Sequence, residues 1–90
     1  MGAGWQKRKA MSKVEFTLNG QRHELELLEI IGKSLFCLED PISSYVYQLF
    51  PNEKKNRNKI LNVIIYNDDN EKIGVADDLS IPGSLHNPNQ

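Results

Sequence analysis

The sequence predicts a mainly β fold, a small antiparallel meander or half-open (SH3-like) barrel of roughly five to six strands. Three observations carry this. Apolar and polar residues alternate strictly from Val14, the alternation stops at Asn19-Gly20, and a second apolar run, Ile60 to Tyr66, ends in Asn67-Asp68-Asp69-Asn70. A period of two marks a half-buried ribbon. Asn-Gly is the pair best able to take the positive φ angles of a two-residue hairpin loop. The barrel label is an analogy from strand number and implies no function.

Residues 1–12 show no periodicity and carry the Lys7-Arg8-Lys9 cluster. They read as a flexible basic arm, either non-native or upstream of an alternative start at Met11. A single β-rich domain is expected over 13–79, followed by a flexible tail over 80–90.

In the first strand Val14, Phe16 and Leu18 face one side, Glu15 and Thr17 the other. A two-residue loop then sets Leu18 opposite Gln21, Phe16 opposite His23 and Val14 opposite Leu25. On the other face Thr17 meets Arg22, Glu15 meets Glu24 and Lys13 meets Glu26. The like-charged Glu15 and Glu24 are relieved by Arg22 on the diagonal. The second strand alternates through Leu27, breaks phase at Leu28 and resumes at Ile30, the mark of a β-bulge. Gly32-Lys33 is expected to turn into a third strand, Ser34 to Glu39, which Asp40-Pro41 closes because proline has no amide hydrogen for a ladder.

Two templates compete over 42–50. A helix capped by Asp40, with Pro41 first, aligns Ile42, Tyr45, Val46, Leu49 and Phe50 on one stripe, giving an α+β alternative with one short helix at 41–50. The Ser43-Ser44 opening and the aromatic and β-branched content favour a strand, which is the preferred reading. Polar residues 51–58 read as an exposed loop. Ile60 to Tyr66 is expected to be a central strand covered on both faces, with Lys72 to Ala76 as its partner. The segment beyond Leu79, with Pro82-Gly83 and Asn87-Pro88-Asn89, is expected to contribute nothing to the core.

With 90 residues, 39% hydrophobic and 26% charged, the chain has the composition of a single folded core. Cys37 is the only cysteine, which excludes an internal disulfide and fits a reducing compartment. No apolar run approaches the ~18 residues of a membrane helix, and no apolar segment follows the basic cluster as in a secretory signal. A cytoplasmic address without a membrane partner is therefore expected. The net charge of −1 is unevenly spread: residues 1–13 carry +4, 14–40 carry −4, 41–66 carry +3 and 67–90 carry −4. Local patches follow even though the whole is nearly neutral.

No residue set points to catalysis. On the expected register His23 shares Phe16's face while Glu24 and Glu26 point away, so nothing orients it as a base. His86 lies in the tail. Cys37 alternates with hydrophobic neighbours and has no histidine nearby, which reads as a buried, inert thiol. Asp68-Asp69-Asn70-Glu71 lacks the ligand spacing of a calcium loop and reads as a solvated turn. One cysteine and two distant histidines do not make a zinc set. No catalytic, metal or cofactor residues are expected, and the chain is read as not an enzyme.

What remains is surface. Lys54, Lys55, Arg57 and Lys59 alternate with Asn52, Asn56 and Asn58, close in sequence to Tyr45, Tyr47 and Phe50. These seven basic and aromatic residues are the expected partner-binding set. The expected function is a non-catalytic binding or regulatory module acting by protein–protein contact, through exposed aromatics or an open sheet edge, with a homodimer among the possible partners. One alternative is a weak nucleic-acid-binding module that uses the Lys54 to Lys59 loop, with Tyr45, Tyr47 or Trp5 as a stacking platform; the flanking acidic blocks count against it. Another is a small enzyme accessory subunit, which requires His23, Cys37 and an acid to converge.

Overall fold

Asn19 and Gly20 take φ angles of 52° and 77°, the paired left-handed geometry of a type I′ turn. Two antiparallel strands run back from it, β1 (Ser12–Leu18) and β2 (Gln21–Leu27). The computed structural model describes residues 12–27 and 34–89. The basic arm with Trp5, the phase break at Leu28 and the Gly32-Lys33 turn lie outside them. The β1–β2 register is the expected one at every position, from Leu18 opposite Gln21 to Lys13 opposite Glu26. Arg22 also relieves the like-charged pair, its Nη2 lying 3.3 Å from Glu15 Oε1.

A 3-10 turn (Leu35–Leu38) leads into helix α1 (Glu39–Leu49) and the short helix α2 (Pro51–Lys55), followed by β3 (Ile60–Tyr66) and β4 (Lys72–Asp78). The sheet order is β2-β1-β3-β4 with antiparallel neighbours. The result is mainly β: two hairpins share one open sheet of four strands, joined through two short helices. β2 and β3 are consequently parallel with β1 between them, and a parallel crossover needs a connection of a dozen or more residues, usually helical.

That topology corrects three expectations. The third strand at Ser34 to Glu39 is instead the 3-10 turn and the first residue of α1, residues 42–50 are mostly helical, and the 51–58 loop opens with α2. Leu38, Ile42 and Val46 recur every fourth residue and are buried, so a helix lays one apolar stripe across the sheet. Fully burying an aliphatic side chain contributes ~1.5–3 kcal/mol, whereas the whole β-propensity scale spans ~1 kcal/mol. Burial therefore wins. Glu39 and Asp40 in the first turn suit the positive end of the helix dipole, and Pro41 in that turn removes no helical hydrogen bond.

β3 is central, but only one of its faces is covered. Val63 and Ile65 are buried, whereas Ile64 and Tyr66 are half-buried on the side away from α1. The β1–β3 register shifts between Glu15 and Thr17, where Asn62 adopts a φ of 51°. This bulge explains why Ile60 and Val63, three residues apart, are both buried. Arg22 Nη1 closes over it, donating to the Asn62 carbonyl at 2.6 Å and to Thr17 Oγ1 at 3.0 Å.

The core joins Val14, Phe16 and Leu18 of β1 to Ile60, Val63 and Ile65 of β3, under Leu38, Ile42 and Val46. Leu79 and Leu85 belong to it too. The expectation of no core contribution beyond Leu79 is thereby corrected. Leu85 is seated by backbone bonds on both sides: Val75 N–H donates to the His86 carbonyl at 2.8 Å, His86 N–H to the Val75 carbonyl at 3.0 Å, and the buried Glu39 carboxylate accepts from Gly83 N–H and Leu85 N–H. The pairing with β4 supplies what Pro82-Gly83 conceals in the sequence.

Candidate functional site

α1 carries more apolar side chain than the sheet covers. Ile42 and Val46 fill the sheet-facing side. Tyr45 and Leu49, one turn apart, lie on a flank and stay 37% and 49% exposed, in line with Pro41 at the same four-residue spacing. Tyr47, two positions from Tyr45, lies on the other side of the helix axis.

There Tyr47 is half-buried and its hydroxyl donates to the Asn58 carbonyl at 2.5 Å. Burial, and after it the charge of Asp78, raises its pKa. It helps line an open groove of about 410 Å³ with Asp40, Ser43, Ser44, Gln48 and Lys54. Both charge signs are present in that groove. Phe50 is half-buried, its ring 4.7 Å from His23 and edge-on to Phe16 at 6.3 Å. The three aromatics read from the sequence as one exposed group are thus separated: Tyr45 is outside, Tyr47 ties α1 to the following loop, and Phe50 extends the core.

The bases divide as well. Lys54 and Lys55 form the last turn of α2, Arg57 takes a φ of 60° just beyond it, and all three are exposed. Asn58 Nδ2 holds that loop by donating to Glu53 Oε1 at 2.6 Å. Lys59 lies 3.4 Å from Asp78 Oδ2, whose carboxylate is held below the ordinary range mainly by the hydroxyl and N–H of Ser80. Lys59 therefore spends part of its charge within the molecule.

His23 forms a three-ring cluster with Phe16 and Phe50 on the edge strand β2. Cys37 is exposed rather than buried, and the hydroxyl of Ser34 donates to its sulfur at 3.3 Å. The correction has a simple cause: alternation places Cys37 inward in a strand, whereas the 3-10 turn rotates it out. Among the described residues no hydrogen bond or ion pair links His23, Cys37 and an acid.

Ser84, His86 and Glu39 gather near the end of the chain, yet His86 Nδ1 donates to the Ser84 carbonyl and Glu39 accepts from backbone N–H groups. The three side chains do not form a nucleophile-base-acid series. In the β3–β4 turn, Asn67 Oδ1 accepts from the N–H groups of Asp69 and Glu71, and Asn67 Nδ2 donates to Glu71. Among the described residues no three His, Cys, Asp or Glu side chains are grouped to hold a metal, and no helix is long and apolar enough to cross a membrane.

Sequence reasoning passed over three residues that matter here. Leu49 shares one stripe with Ile42, Tyr45, Val46 and Phe50 in the helical alternative, whereas the structure divides that stripe into buried Ile42 and Val46 and exposed Tyr45 and Leu49. Glu39 and Leu85 gave no signal, because their partnership spans 46 residues. Comparison with protein-family models, curated proteins and solved structures finds no match.

Proposed function

We propose that this protein is a non-catalytic binding module that acts by contact with another protein, using the Tyr45 and Leu49 flank of α1. The observation that supports this is the exposure of two large apolar side chains one helical turn apart, on a helix whose sheet-facing residues are fully buried. Contiguous exposed apolar patches, unlike hydrophobic residues scattered singly, mark contact sites, and Tyr45 and Leu49 adjoin along one flank. Tyrosine suits the centre of such a contact, since it offers a large rigid face and a polar tip. An apolar helix flank gives a partner a directional surface without any reacting group. Lys54, Lys55 and Arg57 stand apart from it as an exposed basic cluster, and they support the second reading, weak nucleic-acid binding.

The two readings separate in two experiments, affinity capture from nuclease-treated lysate and a nucleic-acid mobility shift, each comparing the native chain with Tyr45→Ser/Leu49→Ser and Lys54→Glu/Lys55→Glu variants of unchanged melting temperature. The contact reading expects a polypeptide retained by the native chain and lost only with the first variant. Equal retention by the native chain and that variant refutes it. A salt-sensitive mobility shift of nucleic acid that only the second variant loses establishes the alternative.

A further inference from the structure

The outer edge of β4 is partly covered by residues 83–86, and the way they are seated defines a ligand. Seating uses the backbone: Val75 exchanges both its N–H and its carbonyl with His86, while Glu39 accepts from the N–H groups of residues 83 and 85. One side chain is inserted, that of Leu85, which is buried. It rests over Gly74, where a Cβ would lie 3.0 Å from Leu35 Cδ2 and 3.5 Å from Leu85 Cδ1. The missing Cβ makes room for Leu35, and Leu85 packs at ordinary contact distance beside it, so Gly74 and Leu35 together floor the notch that receives Leu85.

The seating is also imperfect. Ser84 Oγ is buried without a hydrogen-bond partner among the described residues, a desolvation penalty that a residue without a hydroxyl avoids. One backbone bridge pair and the Asn89 Nδ2 donation to the Lys72 carbonyl at 3.3 Å join the segment to β4, and the turns from Leu79 to Ser84 that lead to it include Ile81, which is largely exposed, and Gly83 at a φ of 78°.

We propose that the β4 edge, with Gly74 and the Glu39 carboxylate, is a strand-addition site occupied in cis by residues 83–86. The partner it fits is a segment of another polypeptide that turns at a small residue, carries a leucine-sized side chain two positions later, and has free N–H groups at both of those residues. Strand addition of this kind draws affinity from main-chain bonds and specificity from one side-chain notch. The site is independent of the Tyr45 and Leu49 flank.

Two measurements on the full chain test this. In native-state hydrogen exchange, the amides of Val75, Gly83, Leu85 and His86 are expected to exchange together through an opening that leaves Val14 and Phe16 protected. In an NMR titration, a synthetic peptide with the sequence of residues 81–89 is expected to shift Gly74, Val75 and Glu39. It should bind Leu85→Ala at least about tenfold more tightly than the native chain, because the competing occupant is weakened. The same peptide carrying Ser84→Ala should bind tighter still, and one carrying Leu85→Ala should not bind. Exchange of the four amides only with global unfolding overturns the proposal. So does a folded Leu85→Ala chain that takes up the peptide no better than the native one. Should Leu85→Ala fail to fold, the native exchange pattern decides.

Discussion

Asn62 sits at φ 51° in the middle of an otherwise extended strand, a conformation asparagine tolerates and β-branched residues resist. Replacing it with valine is expected to cost about 1–2 kcal/mol, while Asn62→Gly should leave the urea midpoint close to native. Among the described residues, Tyr47, Tyr66 and Asp78 shape the response to pH. Tyr47 and Tyr66 have raised pKa values, in both cases first through burial and then through a neighbouring carboxylate, Asp78 or Glu15. The folded chain holds these phenolic protons more tightly than the unfolded one. Their contribution is complete below the ordinary tyrosine value of about 10 and is lost as pH rises through the folded values. Asp78 is shifted the other way, chiefly by Ser80 and then Lys59 against the opposing effect of burial. Its contribution is complete above about 3.9 and is lost as pH falls through the folded value. Urea midpoints measured across pH should therefore fall in both the acid and alkaline limbs, with Asp78→Asn flattening the first and Tyr47→Phe reducing the second.

At the scale of elements, α1 decides how the chain crosses from β2 to β3. Its outer residues respond to helical propensity alone, which gives a direct check on residues whose sequence suits a strand equally well. Ser44 is exposed on α1, so Ser44→Ala should raise stability by about 0.5 kcal/mol in equilibrium unfolding. In a strand the same change would be neutral or unfavourable, since alanine is depleted there. The hairpin elements needed no such arbitration. Alternation placed Val14, Phe16 and Leu18 inside, Asn19-Gly20 set the loop length, and those two local facts leave one register.

For the molecule as a whole, the end of the chain is structural. Leu85 completes the core, and Glu39 ties residues 83 and 85 to the start of α1. Deleting residues 81–90 should lower stability by at least the ~1.5–3 kcal/mol of one buried leucine, seen as a lower urea midpoint. An unchanged midpoint would show that the segment is a passive tail. The sheet's outer edges differ accordingly: β4 is partly covered by His86, whereas the solvent-side positions of β2 carry Arg22, Glu24 and Glu26. Charges on an edge strand discourage uncontrolled pairing, so the two edges present different surfaces to a partner.

The amino-acid order by itself determined both hairpins, the facing of β1 and β2, and the placing of His23 beside Phe16. These are contacts between near neighbours, where a period of two and a turn pair leave little freedom. The tertiary structure alone decided that residues 39–49 coil, that Tyr45 and Phe50 part company, that Cys37 faces out, and that Leu85 enters the core. Each of those outcomes depends on which surface lies opposite, and for a segment whose pattern satisfies two periodicities, or whose partner is 46 residues away, only the assembled sheet supplies that surface.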